Sequence, residues 1–463
     1  MLLHEDRLFP AEPSARKVAK ALYAEVSKLP IISPHGHTQA SWFAKNEPFP
    51  DPATLFVQPD HYVFRMLYSQ GVDLDTLGIG KAKIENPREV WRIFAKHYYL
   101  FRGTPSRLWL DYAFQSLFGR EERLNEKNAD EYYDAIDAAL KTPEFLPRAL
   151  FERFNMEVLS TTDSPLDTLE DVAAIRKSGW SKRILPAFRP DPVVDADFIG
   201  FHENLIQLGE LYKEDTATWS GYLNALRKSR QFFKSMGCTS TDHGHPTALT
   251  ADLSKSEAEA LYAKIFAGTS TKAEQELFRG QMLTEMAGMS VEDGLTMQIH
   301  PGSVRNHNAV IYQKYGRDKG CDIPSPTEYV QSLRPLLNRY GNNKDLTIIL
   351  FTLDETSYSR ELAPLAGHYP ALRLGPSWWF HDSPEGMMRF REQATETAGF
   401  YNTVGFNDDT RAFLSIPARH DVARRVDCAF LGRLVAEHRL EESEAFEVAH
   451  ELTYGLVKKA YKL

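Results

Sequence analysis

His35 and His37 stand two apart in Pro34-His35-Gly36-His37, directly after the apolar run Leu29 to Ser33. On an extended strand alternate side chains share a face, so both imidazoles can meet one divalent ion. Imidazole suits zinc and other first-row metals. The ordinary alternative is a pair that caps the strand or bonds to nearby backbone; the position at a strand end favours the metal. His243 and His245 repeat the spacing beside Asp242. The first pair is preferred, because Ile31 and Ile32 mark a buried strand whereas Thr239 to Thr241 is less apolar. His300 follows Met297 and Ile299 and is a further ligand, a substrate contact or a core histidine. Asp409 would add the hard anionic ligand that two imidazoles lack, and a carboxylate beside a metal can accept a hydroxyl proton. Asp408 competes with it, and either aspartate could simply form a turn or cap a helix.

Arg189 and Arg411 each lie just past an apolar run, where a guanidinium fork can hold a carboxylate. An anionic substrate would suit them, although most surface arginines serve only in loop ion pairs. Trp378 and Trp379 follow Gly375-Pro376-Ser377, and Asp60-His61-Tyr62 precedes Arg65. Paired tryptophans are often core and a His-Tyr pair is often buried structure, so neither group decides anything alone.

These residues need a scaffold that brings strand ends together. Strands buried on both faces read as short apolar runs. Eight occur: Leu29 to Ser33, Glu157 to Thr162, Ile184 to Phe188, Gly237 to Thr241, Thr296 to His300, Leu346 to Phe351, Leu372 to Pro376 and Asn402 to Phe406. Helical spacing between them, as in Thr168 to Lys177 and Glu385 to Thr397, argues for a parallel sheet, and the count of eight for closure into a (β/α)₈ barrel. Such a barrel places its active site at the C-terminal strand ends, where the candidate residues fall. The whole chain, 1–463, is expected to form one barrel domain. Residues from about 40 to 150 form a helical insertion after the first strand. Lys255 to Phe266 and Thr271 to Met289 are expected to form an expanded loop-plus-helix unit. Ala418 to His438 and Glu441 to Tyr461 close the chain as helices. No Gly-x-Gly-x-x-Gly or Walker loop follows a strand, so no redox or nucleotide cofactor is indicated.

The chain has 463 residues and a formal net charge of −9, which speaks against nucleic acid as its main partner. With 43% hydrophobic and 25% charged residues it is expected to fold as a soluble protein. Cys238, Cys321 and Cys428 are widely separated, which fits a reducing compartment. His4-Glu5-Asp6-Arg7 interrupts any secretory apolar run, and no stretch is long enough to span a bilayer.

Taken in order, these segments resemble the uronate isomerase family of the amidohydrolase superfamily. The likeness rests on Pro34-His35-Gly36-His37, Asp60-His61-Tyr62, Phe188-Arg189-Pro190-Asp191, Met297-Gln298-Ile299-His300 with Arg305-Asn306, Trp378-Trp379, and Asp409-Thr410-Arg411-Ala412-Phe413-Leu414. It implies interconversion of D-glucuronate with D-fructuronate and of D-galacturonate with D-tagaturonate, in cytoplasmic hexuronate catabolism. His35, His37 and Asp409 would hold one divalent metal, with zinc the expected ion. Arg189, Arg411, His61, Tyr62, Trp378 and Trp379 would line the sugar pocket, with His300 beside them. In an enediol mechanism Asp409 would handle a hydroxyl proton, and Tyr62 with His61 the carbon-bound proton. One departure from the wider superfamily is Thr352-Leu353-Asp354-Glu355 after the sixth run, where no histidine stands. With no strand-end lysine to bridge two ions, a two-metal hydrolase site is disfavoured. The alternatives are a mononuclear metal hydrolase or deaminase on the same barrel, or a sugar-binding protein without turnover. The aromatic insertion leaves a homo-oligomer open.

Overall fold

The computed structural model describes residues 2–81, 83–180 and 183–463. Nine strands occur among the described residues, seven of them from the apolar runs: β1 (Ile31–Ser33), β2 (Met156–Ser160), β3 (Arg183–Leu185), β4 (Ser240–His243), β5 (Thr296–Ile299), β6 (Ser303–Val304), β7 (Ile323–Pro324), β8 (Ile348–Leu350) and β9 (Leu372–Leu374). All except β6 and β7 are parallel staves of an α/β barrel. β1 pairs with β2 and β2 with β3, and a second ladder runs β4, β5, β8, β9. Single parallel bridges continue the ring, Phe188 to Thr241 between the ladders and Leu374 to Thr403 at the far edge. The His37 amide donates to the Thr410 carbonyl at 3.1 Å, bringing the last stave to the first.

The interior is filled by Ile32, Val158, Leu185, Ile349 and Val404, all buried. Val457, Ala460 and Tyr461 of the C-terminal helix Leu456–Tyr461 join the same cluster. The Tyr461 hydroxyl donates to Gln298 Oε1 at 2.8 Å and accepts from Asn407 Nδ2 at 2.8 Å. Thr296 Oγ1, at the start of β5, donates to the Ala460 carbonyl at 2.7 Å. This helix therefore closes the N-terminal end of the barrel and leaves the C-terminal strand ends open for chemistry.

Three expectations need correction. The fourth run does not begin at Gly237: Gly237 has φ +85° and the Cys238 amide still bonds to the Phe233 carbonyl, so these residues finish the helix Trp219–Ser235. β4 starts at Ser240 and carries His243 inside the strand. The eighth run makes only the bridge at Thr403, and Gly405 at φ +78° turns the chain out of register. Glu441 to Tyr461 is not one regular helix, because a π-helical turn, Glu451–Gly455, divides it.

The insertion is helical as expected, from Ala40–Lys45 to Pro147–Arg153. Its aromatic content is explained by a core of its own, in which Phe56 and Phe114 lie 5.5 Å apart and Phe114 and Tyr132 5.3 Å apart, edge to face. Sequence periodicity gave no sign of the segment after β5. There β6 and β7 pair antiparallel and carry the short helix Ala309–Tyr315 over the mouth of the barrel.

Candidate metal and substrate site

A cavity of about 460 Å³ opens at the C-terminal ends of the staves. Its wall includes His35, His37, His61, Tyr62, Arg189, His300, Trp378, Trp379, Asp409 and Arg411, so these candidates from five barrel loops and the insertion meet there. His243 and His245 are outside this wall. His243 is fully buried, with Nε2 paired to Thr241 Oγ1 at 2.9 Å, and His245 is buried beside it.

Among the described residues, His35, His37 and Asp409 form the group whose ligand atoms all lie within 4.8 Å of one another. Asp409 Oδ1 is 3.3 Å from Nε2 of each histidine yet accepts a hydrogen bond from neither. A buried carboxylate oxygen without a hydrogen-bond donor, facing two imidazole nitrogens, is the donor set a divalent ion requires. The residues present therefore fit one metal. Asp409 Oδ2 is held by the Trp378 indole N–H, and Asp409 adopts φ +39°, a left-handed conformation that non-glycine residues seldom occupy. Asp408 points the other way, with Oδ2 paired to His420 Nε2 at 3.0 Å. Burial favours the neutral acid at Asp409, but the nearness of His35 and His37 outweighs it and holds the carboxyl well below its usual range.

Behind the histidines sits Asp242, fully buried at the second residue from the end of β4. It lies 2.5 Å from His300 Nε2, 3.3 Å from Arg189 Nη1 and 3.9 Å from His35 Nδ1. Burial opposes its charge, but His300, His35 and Arg189 keep its carboxyl well below the ordinary value. At 3.9 Å the approach to His35 Nδ1 is too long for a hydrogen bond, so Asp242 acts on that imidazole through its charge. Arg189 is further fixed by Asp191 at 2.9 Å. Arg411 is more loosely held, its nearest carboxylate being Asp318 at 3.7 Å.

His61 and Tyr62 open the helix His61–Ser69, capped by Asp60, whose carboxylate accepts from the Tyr62 amide at 2.9 Å. The two rings do not form a bonded couple. The Tyr62 hydroxyl donates to Asp382 Oδ1 at 2.8 Å and accepts from the Phe380 amide at 2.7 Å, while Asp382 is also paired with Arg419 at 2.8 Å. Burial, then Asp382, pushes the Tyr62 phenol well above its usual pKa. Burial, then Arg411, pushes His61 down to about 3, so its imidazole is neutral. Tyr62→Phe should destabilise the fold by about 1–3 kcal/mol, because Asp382 and the Phe380 amide both lose a buried partner. Denaturant unfolding measures this, and an unchanged midpoint would show that the bond contributes nothing.

Asp242, Asp382 and Arg419 were not assigned functions from sequence. Asp242 was legible only as a neighbour of His243. Asp382 and Arg419 meet across 37 residues, and local spacing gives no sign of that contact. Asp163 also lines the cavity; burial pushes its carboxyl up to about 6, and Thr161 Oγ1 donates to it at 2.7 Å.

The family model described as glucuronate isomerase matches residues 11–461. The chain belongs to the glucuronate isomerase family. A curated protein called uronate isomerase from Rhizorhabdus wittichii is 64% identical, over 100% of this chain and 98% of its own. The crystal structure of glucuronate isomerase from Caulobacter crescentus is similar with a TM-score of 0.98 and 62% identity, covering 99% of this chain and 97% of that one. The uronate isomerase structure from Thermotoga maritima gives a TM-score of 0.93 at 30% identity, covering 100% of both chains. With family membership along nearly the whole chain, the protein is an isomerase, and the hydrolase alternative finds no support in these likenesses. No helix among the described residues is long and apolar enough to cross a membrane.

Proposed function

We infer that this protein interconverts D-glucuronate with D-fructuronate and D-galacturonate with D-tagaturonate, moving a carbonyl between C1 and C2. The observation that carries the reading is the meeting, in one cavity of a family member, of a His-His-Asp metal cluster with Arg189 and Arg411. We assign the metal as zinc, on the preference of two imidazoles and one carboxylate, and the reaction to the cytoplasm, where the free thiols of Cys238, Cys321 and Cys428 would stay reduced.

His35, His37 and Asp409 would hold the ion, which when bound supplies a Lewis acid for the substrate carboxylate and its neighbouring hydroxyl. Arg189 and Arg411 bind and orient the anionic end of the sugar. Asp409 takes the hydroxyl proton that must leave for the ring to open. The C2 proton then leaves as O1 gains a proton, giving the enediol, and a proton returns to C1 as the C2 hydroxyl gives up its own. His61 and Tyr62 serve this transfer, the neutral imidazole of His61 able to accept a proton and the protonated phenol of Tyr62 able to donate one. Trp378 and Trp379 form an apolar wall against the sugar, their ring centroids 5.8 Å apart.

Incubating purified protein with each uronate and assaying ketose formation tests the reading. Formation of both ketoses is expected; hydrolysis of an amide or ester substrate without any ketose would overturn it. Arg411→Ala should raise the KM for D-glucuronate about 10- to 100-fold, the range for one charge-assisted contact. A KM within twofold of the parent would remove Arg411 from substrate binding.

A further inference from the structure

Five arginines line the cavity: Arg189, Arg305, Arg317, Arg411 and Arg419. Arg189, Arg305 and Arg419 each have a carboxylate within 2.9 Å, from Asp191, Asp322 and Asp382. Arg317 lies over the Phe198 ring at 4.4 Å. Arg411 is different. Its one ion-pair partner among the described residues is Asp318 at 3.7 Å, and the two side chains are 41% and 56% exposed.

Asp318 sits at the tip of the segment between β6 and β7. The base of that segment is rigid: Asp322 accepts from the Asn306 amide at 2.7 Å and from Arg305 at 2.8 Å. The tip turns sharply, with positive φ at Gly316, Asp318 and Gly320. On one side Arg317 rests on Phe198; on the other a Cβ on Gly320 would stand 2.8 Å from the Phe64 ring, so the backbone lies against the helix that bears His61 and Tyr62. The strap therefore crosses the cavity and presents one carboxylate to the arginine with the loosest pairing. Burial alone would raise the Asp318 carboxyl, but Arg411 first, then His61, Arg305 and Arg189, hold it below the usual value.

We propose that Asp318 is an internal counter-ion that occupies Arg411 until the carboxylate of the substrate replaces it. The exchange leaves the charge at Arg411 balanced before and after, so an anionic sugar can displace the strap and a neutral hexose cannot. An exposed pair of this kind is weak enough for a ligand to displace. The inference makes Asp318 a residue that selects for the carboxylate, and it rests on the reading of the substrate as a uronate.

The test uses D-glucarate, a dicarboxylate with no aldehyde to isomerise, titrated calorimetrically into the parent protein, Asp318→Asn, Arg411→Ala and the double variant. Asparagine tolerates the left-handed backbone of this position as aspartate does. Asp318→Asn is expected to bind about two- to fivefold more tightly than the parent, as loss of one exposed competing pair implies. In the Arg411→Ala background the same change should have no effect. Unchanged or weaker binding by Asp318→Asn would overturn the proposal, and so would a tightening that persists without Arg411, which would mean a general field effect. If the parent binds glucarate but turns over no uronate, the isomerase reading fails while the gate is still measured.

Discussion

Asp409→Asn is expected to lower kcat/KM for D-glucuronate by about 10³-fold, within the range that loss of a positioned proton acceptor produces. The substitution keeps the size of the side chain and removes its charge. In the parent, Oδ2 is fixed by the Trp378 indole and Oδ1 faces His35 and His37 at 3.3 Å, so one carboxylate completes the cluster and, in the proposed mechanism, would take the hydroxyl proton. An asparagine cannot accept that proton and is a poor ligand, and its amide can place an N–H where an ion would be. Steady-state kinetics together with metal analysis separate the two losses. If metal content falls with activity, the ligand role dominates; if metal stays and kcat falls, the proton role does. Turnover within tenfold of the parent would contradict both.

Loss of the metal should be comparably severe. His37→Ala is expected to lower metal affinity by about 100-fold or more, since even outer partners of metal ligands are worth 10- to 100-fold. His37 is the more exposed of the two histidines, with 23% of its side chain accessible against 5% for His35, so its loss disturbs packing less. Dialysis of the parent against a strong chelator should abolish ketose formation, and zinc should restore it. His37→Ala should respond only at far higher zinc concentration. Full activity in chelated protein, with metal verified absent, would remove the ion from the account.

The spacing of His35 and His37 marked the pair that meets Asp409, although β1 ends at Ser33 and both histidines stand in the loop just beyond it rather than on the strand. The choice between Asp408 and Asp409 was not legible. It depends on His420, which stands on the long helix Ile416–Ala436 and draws Asp408 away from the cavity. The His61–Tyr62 couple was suggested by adjacency, but neighbouring residues on a helix project in different directions, and Tyr62 instead finds Asp382, 320 residues further on. The staves were found as apolar runs, except that Gly237 and Cys238 belong to a helix end and the last run makes only the bridge at Thr403. The strap between β6 and β7 escaped notice because two-residue strands and a seven-residue helix carry too little periodicity to register.

The most direct test of the central claim is proton NMR of D-glucuronate incubated with the metal-replete protein in heavy water. Appearance of D-fructuronate with deuterium at C1 is the predicted result, because a proton taken up by protein groups exchanges with solvent before it returns. Glucuronate and galacturonate both unchanged, with metal present, would contradict the isomerase assignment.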